Sequence, residues 1–180
     1  MNKRILILFV IAQLSMMSYS QTPKWAEKAK KAVFSVVTYD ANDKILNTGN
    51  GFFISEKGVA ISDYALFKNA QRAVIITSEG EKMPVKAILG ANDMYDVVKF
   101  SVDITSKKVA NLTLSETPMA EGTKLWLLPY STQKVRSLTS GNVNSVDKIS
   151  DYAYYTINLP LKEKMVSCPV MNINGEVVAM

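Results

Sequence analysis

From Val33 onward, hydrophobic and polar positions fall into short β-rich runs separated by turn residues. Val33 to Tyr39 (VFSVVTY) ends at Asp40-Ala41-Asn42-Asp43, and Gly51 to Ser55 (GFFIS) ends at Glu56-Lys57-Gly58. Val59 to Ser62, Ala73 to Thr77, Lys82 to Leu89 and Val97 to Val102 follow. The second half repeats the style with Leu125 to Leu128, Ser137 to Val146, Tyr152 to Leu159 and Val166 to Met171, then an Asn172-Ile173-Asn174-Gly175 turn into Glu176 to Met180. β-Branched and aromatic residues favour the pleated, half-buried strand, whereas Asn, Asp and Gly favour the turns between strands. Short strands at this spacing predict an all-β barrel or sandwich. Residues 104–118 have little strand character and are expected to link two β units, about 33–103 and 119–180.

Ahead of the strands, Thr22-Pro23 has the form of a helix start, and residues 21–32 are expected to form a short helix. Trp25, Ala29 and Ala32 would share its buried face, with Lys24, Lys28 and Lys31 on the solvated one. Residues 1–20 read as a secretory signal peptide. Lys3 and Arg4 precede an apolar run from Ile5 to Met17, and Ser18 and Ser20 put small residues at a cleavage site before Gln21. The run is short for a bilayer span, so an exported protein of the bacterial periplasm or cell surface is expected rather than an anchored one.

Composition narrows the function classes. A hydrophobic content of 48% with 21% charged residues belongs to a folded globular chain. The net charge of +5 falls by two, to +3, once Lys3 and Arg4 leave with the leader, which is too weak to indicate nucleic acid as a partner. Cys168 is the only cysteine, so no internal disulfide can form, and its expected place is a buried, inert one. With no histidine and no clustered ligands, neither a metal nor another cofactor is expected. Asn111-Leu112-Thr113 has the form of a glycosylation acceptor, a triplet common by chance.

Several motifs then occur in order. Val33-Phe34-Ser35-Val36-Val37 is followed by Gly49-Asn50-Gly51-Phe52-Phe53-Ile54-Ser55 and by Gly58-Val59-Ala60-Ile61-Ser62-Asp63-Tyr64-Ala65-Leu66-Phe67. Leu89-Gly90-Ala91-Asn92-Asp93-Met94-Tyr95-Asp96-Val97-Val98 comes next, then Gly122 to Leu128 and Leu138 to Val146. Val166-Ser167-Cys168-Pro169-Val170-Met171-Asn172-Ile173-Asn174-Gly175 closes the set. Over residues 33–180 this series resembles the trypsin-like serine proteases of the HtrA type. The resemblance implies a chymotrypsin-like double antiparallel β-barrel, and further chain beyond Met180 to complete the second barrel.

Family chemistry needs a serine nucleophile, a histidine base and an aspartate that orients the histidine. Carried over residue by residue, the histidine position falls on Ala65, the aspartate on Asp96 and the nucleophile on Val166. The oxyanion-hole glycine falls on Lys164, a residue poorly suited to a left-handed backbone. A one-residue slip would put Ser167 at the nucleophile position, but no imidazole exists to activate it. Cys168 as nucleophile lacks the same partner. A Ser167 pair with Lys162 or Lys164 requires a desolvated lysine, and Lys162-Glu163-Lys164 reads as an exposed loop. Asp96, without its histidine, is expected to bond nearby backbone.

The expectation is therefore a catalytically inactive protease homologue whose barrel–barrel cleft binds an extended peptide or unfolded polypeptide. The competing class is an active serine-type endopeptidase with a non-standard mechanism.

Overall fold

Strand β1 (Val33–Tyr39) covers the full predicted run and is buried along nearly its whole length. Its two faces serve two cores, which is why it lacks the polar alternation of a half-exposed strand. Phe34 and Val36 point into a closed barrel, while Val33 packs between that barrel and a second sheet. Neighbouring Phe52 and Phe53 divide in the same way, because successive strand side chains face opposite sides.

A computed structural model describes residues 22–131, 138–149, 152–160 and 165–180. The predicted leader, residues 1–20, and its cleavage point before Gln21 lie outside the described residues, as do Lys162 and Lys164.

The barrel continues with β2 (Ile45–Phe53), β3 (Val59–Asp63), the 3₁₀ turn η1 (Tyr64–Leu66), β4 (Arg72–Ile76), β5 (Lys82–Asn92) and β6 (Val97–Val102). Their order around the closed barrel is β1-β2-β3-β6-β5-β4, every pair antiparallel. Phe34, Phe53, Ile75, Val98 and Phe100 fill it, each essentially inaccessible. Burying side chains of this size contributes about 1.5–3 kcal/mol apiece.

The second unit is a six-stranded sheet ordered β10-β9-β8-β11-β12-β7. Its strands are β7 (Thr113–Leu114), β8 (Lys124–Leu127), β9 (Thr139–Ile149), β10 (Tyr152–Ile157), β11 (Val170–Met171) and β12 (Glu176–Ala179). Leu125 and Leu127 enter its own core with Val143, Cys168 and Val170. Trp126 and Leu128 turn the other way, to meet Val33 and Phe52 from the barrel. A closed barrel plus this sheet, with little helix, is the double β-unit architecture expected from the sequence.

Beyond shifts of two or three residues at the ends of β5, β9 and β10, four differences from expectation stand out. The linker 104–118 contains β7, which pairs in parallel with β12 and so departs from an all-antiparallel second unit. β2 starts at Ile45, because the largely exposed segment Ile45–Thr48 is zipped to β1. The helix α1 is only Ala26–Lys30, with Thr22 and Pro23 outside it and the Ala26 N–H donating to the Pro23 carbonyl at 2.9 Å. Ala29 and Ala32 are buried as expected, and the half-buried Trp25 donates its Nε1–H to the Ile173 carbonyl at 2.9 Å. That indole also covers Gly175, whose φ of +79° and missing Cβ permit the approach. The fourth difference concerns Val166 and Ser167, which precede β11 in a turn rather than opening a strand.

Candidate active-site cleft

The last residue of β3, Asp63, is paired with Val97 at the start of β6. This register brings the preceding residue, Asp96, against η1. Asp96 sits at φ +50°, in the left-handed region that aspartate tolerates better than most residues. Its carbonyl accepts the Tyr64 N–H at 3.1 Å, and its side-chain Oδ1 accepts the Ala65 N–H at 2.6 Å. A 3₁₀ turn leaves its first N–H groups without internal partners, and Asp96 satisfies two of them from another part of the chain.

Across the interface, Ser167 also has a left-handed backbone, φ +61°. It is 5% exposed, and its Oγ lacks a hydrogen-bond partner among the described residues. Val166 next to it is 52% exposed. The Val166 carbonyl accepts Asn50 Nδ2–H at 2.6 Å, and the buried Cys168 S–H contacts the same oxygen at 3.9 Å. Asn50, on β2, accepts the Tyr130 N–H through Oδ1 at 3.1 Å, and its own carbonyl accepts the Ser62 hydroxyl at 2.6 Å. A barrel residue thus fixes two loops of the second sheet's side at once.

Between the barrel and the second sheet lies a cavity of about 710 Å³. Asp63, Tyr95, Asp96, Tyr154 and Ser167 line it, with apolar residues such as Ile61 and Val170 around them. Burial pushes the Asp63 carboxyl upward, the nearby Ser167 hydroxyl partly opposes the rise, and the negative charge of Asp96 adds to it. The Ser167 hydroxyl is close enough to influence Asp63 yet misses the geometry of a formed hydrogen bond. Burial also pushes the Cys168 thiol up to about 12, against the pull of the Tyr130 backbone, so at neutral pH it is protonated and unreactive.

Of the residues placed by motif, Ala65 and Asp96 are in direct contact, and Ser167 joins Asp96 in lining the cavity. Val166 lies at the surface, and its side chain is aliphatic. Cys168 belongs to the core of the second sheet. The arrangement can bind through carboxylate, hydroxyl and aromatic groups. The chain has no imidazole to deprotonate a serine, and Ala65, on which the motif resemblance puts the histidine position, presents only a methyl group. Asp63 and Asp96 are not joined by a third carboxylate or thiol in a metal-holding group among the described residues.

Asp63 and Asn50 are not apparent as site residues from sequence alone. Both stand inside the quoted motifs, and the one available signal is that Asp63 puts an acid where the resembled pattern has asparagine. Asn50 gives no such signal, because its role depends on which loops the fold brings to it.

Residues 49–180 match the family described as Trypsin-like peptidase domain, well over half of the chain. No individual curated protein matches it in sequence.

Proposed function

The chain belongs to the trypsin-like peptidase domain family, and on that premise we propose that it is an exported HtrA-type member without acyl-transfer activity that holds extended polypeptide in its cleft. The observation that carries the inactive reading is the Asp96–Ala65 contact. In the resembled proteases this aspartate orients an imidazole. Here the same carboxylate oxygen is committed to a backbone N–H, and the residue it holds has no side chain able to accept a proton. Loss of triad members costs several orders of magnitude in rate. The cleft itself remains open and is lined by apolar and aromatic surface, which suits an extended chain.

The test is direct. Purified protein is mixed with fluorescein-labelled, unfolded casein, and both anisotropy and casein length are followed. A saturable anisotropy rise with casein left intact is the expected result. Casein fragments that grow with protein concentration contradict the inactive reading, and a flat titration contradicts the binding reading.

One observation favours a second reading, an active peptidase of non-standard mechanism: Ser167 faces the cavity on a left-handed backbone with its hydroxyl unpaired. The group beside it is the Asp63 carboxylate, in its ordinary state a much weaker base than imidazole, and burial raises its pKa.

A further inference from the structure

Asp63 is half-buried, has the Ser167 hydroxyl beside its carboxyl, and joins no ion pair among the described residues. Five ion pairs occur among those residues, and each engages a different acid: Glu27, Asp93, Asp43, Glu81 and Glu56. The cation in the electrostatic reach of Asp96 is Lys68, which is bound to Asp93. No lysine or arginine is among the described residues lining the cavity. Two carboxylates therefore share one cavity whose described lining includes no cation, and the charge of Asp96 disfavours that of Asp63.

Ser167 supplies an independent sign of a missing partner. Its Oγ is fully enclosed, lies on the cavity wall and is unpaired, although a buried hydroxyl is costly to leave without a hydrogen bond. A hydroxyl accepts from an N–H donor while its own hydrogen can turn toward a carboxylate. The Tyr95 and Tyr154 rings border the same space, and aromatic faces attract cations. An anion would meet two carboxylates. A neutral amide would satisfy Ser167 but leave the charges uncompensated.

We infer that Asp63, Asp96 and Ser167 form a receptor for the cationic side chain of a lysine or arginine in the polypeptide held by the cleft. This inference rests on the cleft-binding reading above and adds its selectivity. The ammonium or guanidinium donates to the Asp63 carboxylate and to Ser167 Oγ, with Asp96 contributing charge while its Oδ1 stays on Ala65.

The probes are fluorescein-labelled extended peptides of about twelve residues, built from Ser, Ala and Val, with a single central lysine, arginine, norleucine or glutamate. Titrated in about 50 mM salt, the lysine and arginine peptides should bind about tenfold tighter than the norleucine peptide, and the glutamate peptide weakest. D63N should bring lysine to within about twofold of norleucine without weakening norleucine itself. Ser167→Ala should cut the lysine preference about threefold, which provides a second variant if D63N unfolds. Equal binding of lysine and norleucine peptides overturns the cation receptor while leaving the cleft-binding reading intact. A lysine preference that survives D63N also overturns it. Failure of every peptide to bind removes the cleft-binding reading, and the receptor with it.

Discussion

The carboxylate of Asp96 holds the backbone of Ala65: Oδ1 accepts the Ala65 N–H at 2.6 Å, across 31 residues of sequence. The bond ties η1 to the loop before β6, and so joins the two walls beside Asp63. Asp96→Ala removes the acceptor and leaves a residue less tolerant of φ +50°. It should cost about 1–2 kcal/mol and lower the melting temperature by about 3–6 °C. Asp96→Asn keeps an acceptor and suits the left-handed backbone, so it should stay within about 0.5 kcal/mol of wild type. Thermal melts of the two variants check this, and equal losses would show that the bond carries no weight.

Asn50 is 5% exposed and joins the barrel to the turn carrying Ser167 and to Tyr130. Asn50→Ala leaves the Val166 carbonyl and the Tyr130 N–H, both part-buried, without these partners. It should destabilise the fold by about 2–4 kcal/mol, read from urea denaturation. It should also weaken casein binding, because the Ser167 turn loses its anchor. A change under about 0.5 kcal/mol would mean that the loops hold their positions without it.

Much of the fold is legible in the sequence because burial leaves a pattern. β1 and β6 coincide with their predicted runs, since β1 is buried on both faces and β6 alternates between barrel core and surface, patterns that the order of residues reports. β7 is missed because two residues, Thr113 and Leu114, carry no periodicity, and they become a strand only through their partner β12. The Val166–Ser167 turn is hidden inside an apolar, β-branched run, and its left-handed Ser167 is set by tertiary contacts rather than local propensity. At the site, the absence of histidine is plain from composition, whereas the histidine position falls on Ala65 only by the motif resemblance. That Ser167 rather than Val166 meets the cavity is not, because a one-residue slip in a turn leaves no trace in a motif. Asp63 becomes notable only when the structure shows its carboxylate without a cation.

Asp63 also predicts how stability should vary with pH. Its folded pKa lies above the ordinary 3.8, chiefly through burial, so the folded state holds the proton more tightly than the unfolded chain. Its contribution to stability is therefore present at low pH and is lost as pH rises through the raised folded value. The facing groups are Asp96, whose charge reinforces the shift, and the Cys168 thiol, which at about 12 titrates outside this window. Against wild type, Asp63→Asn should gain relative stability as pH is raised from about 4 to 7. Paired thermal melts across that range check the sign. A constant or shrinking difference would mean that the fold does not raise the pKa of Asp63.

Labelling of the purified protein by a fluorophosphonate probe bears most directly on whether this cleft performs acyl transfer, since the probe reports an activated serine without requiring a known substrate. Wild-type protein should show no labelling above the Ser167→Ala background, because the chain has no imidazole to activate a serine. The Ala65→His and Val166→Ser double variant should stay at least about a thousandfold below an active trypsin-like protease, since triad members act as a unit and, on the proposed correspondence, a lysine stands where the oxyanion-hole glycine is needed. Labelling of the wild type that disappears on Ser167→Ala or Cys168→Ala would contradict the inactive reading and identify the nucleophile.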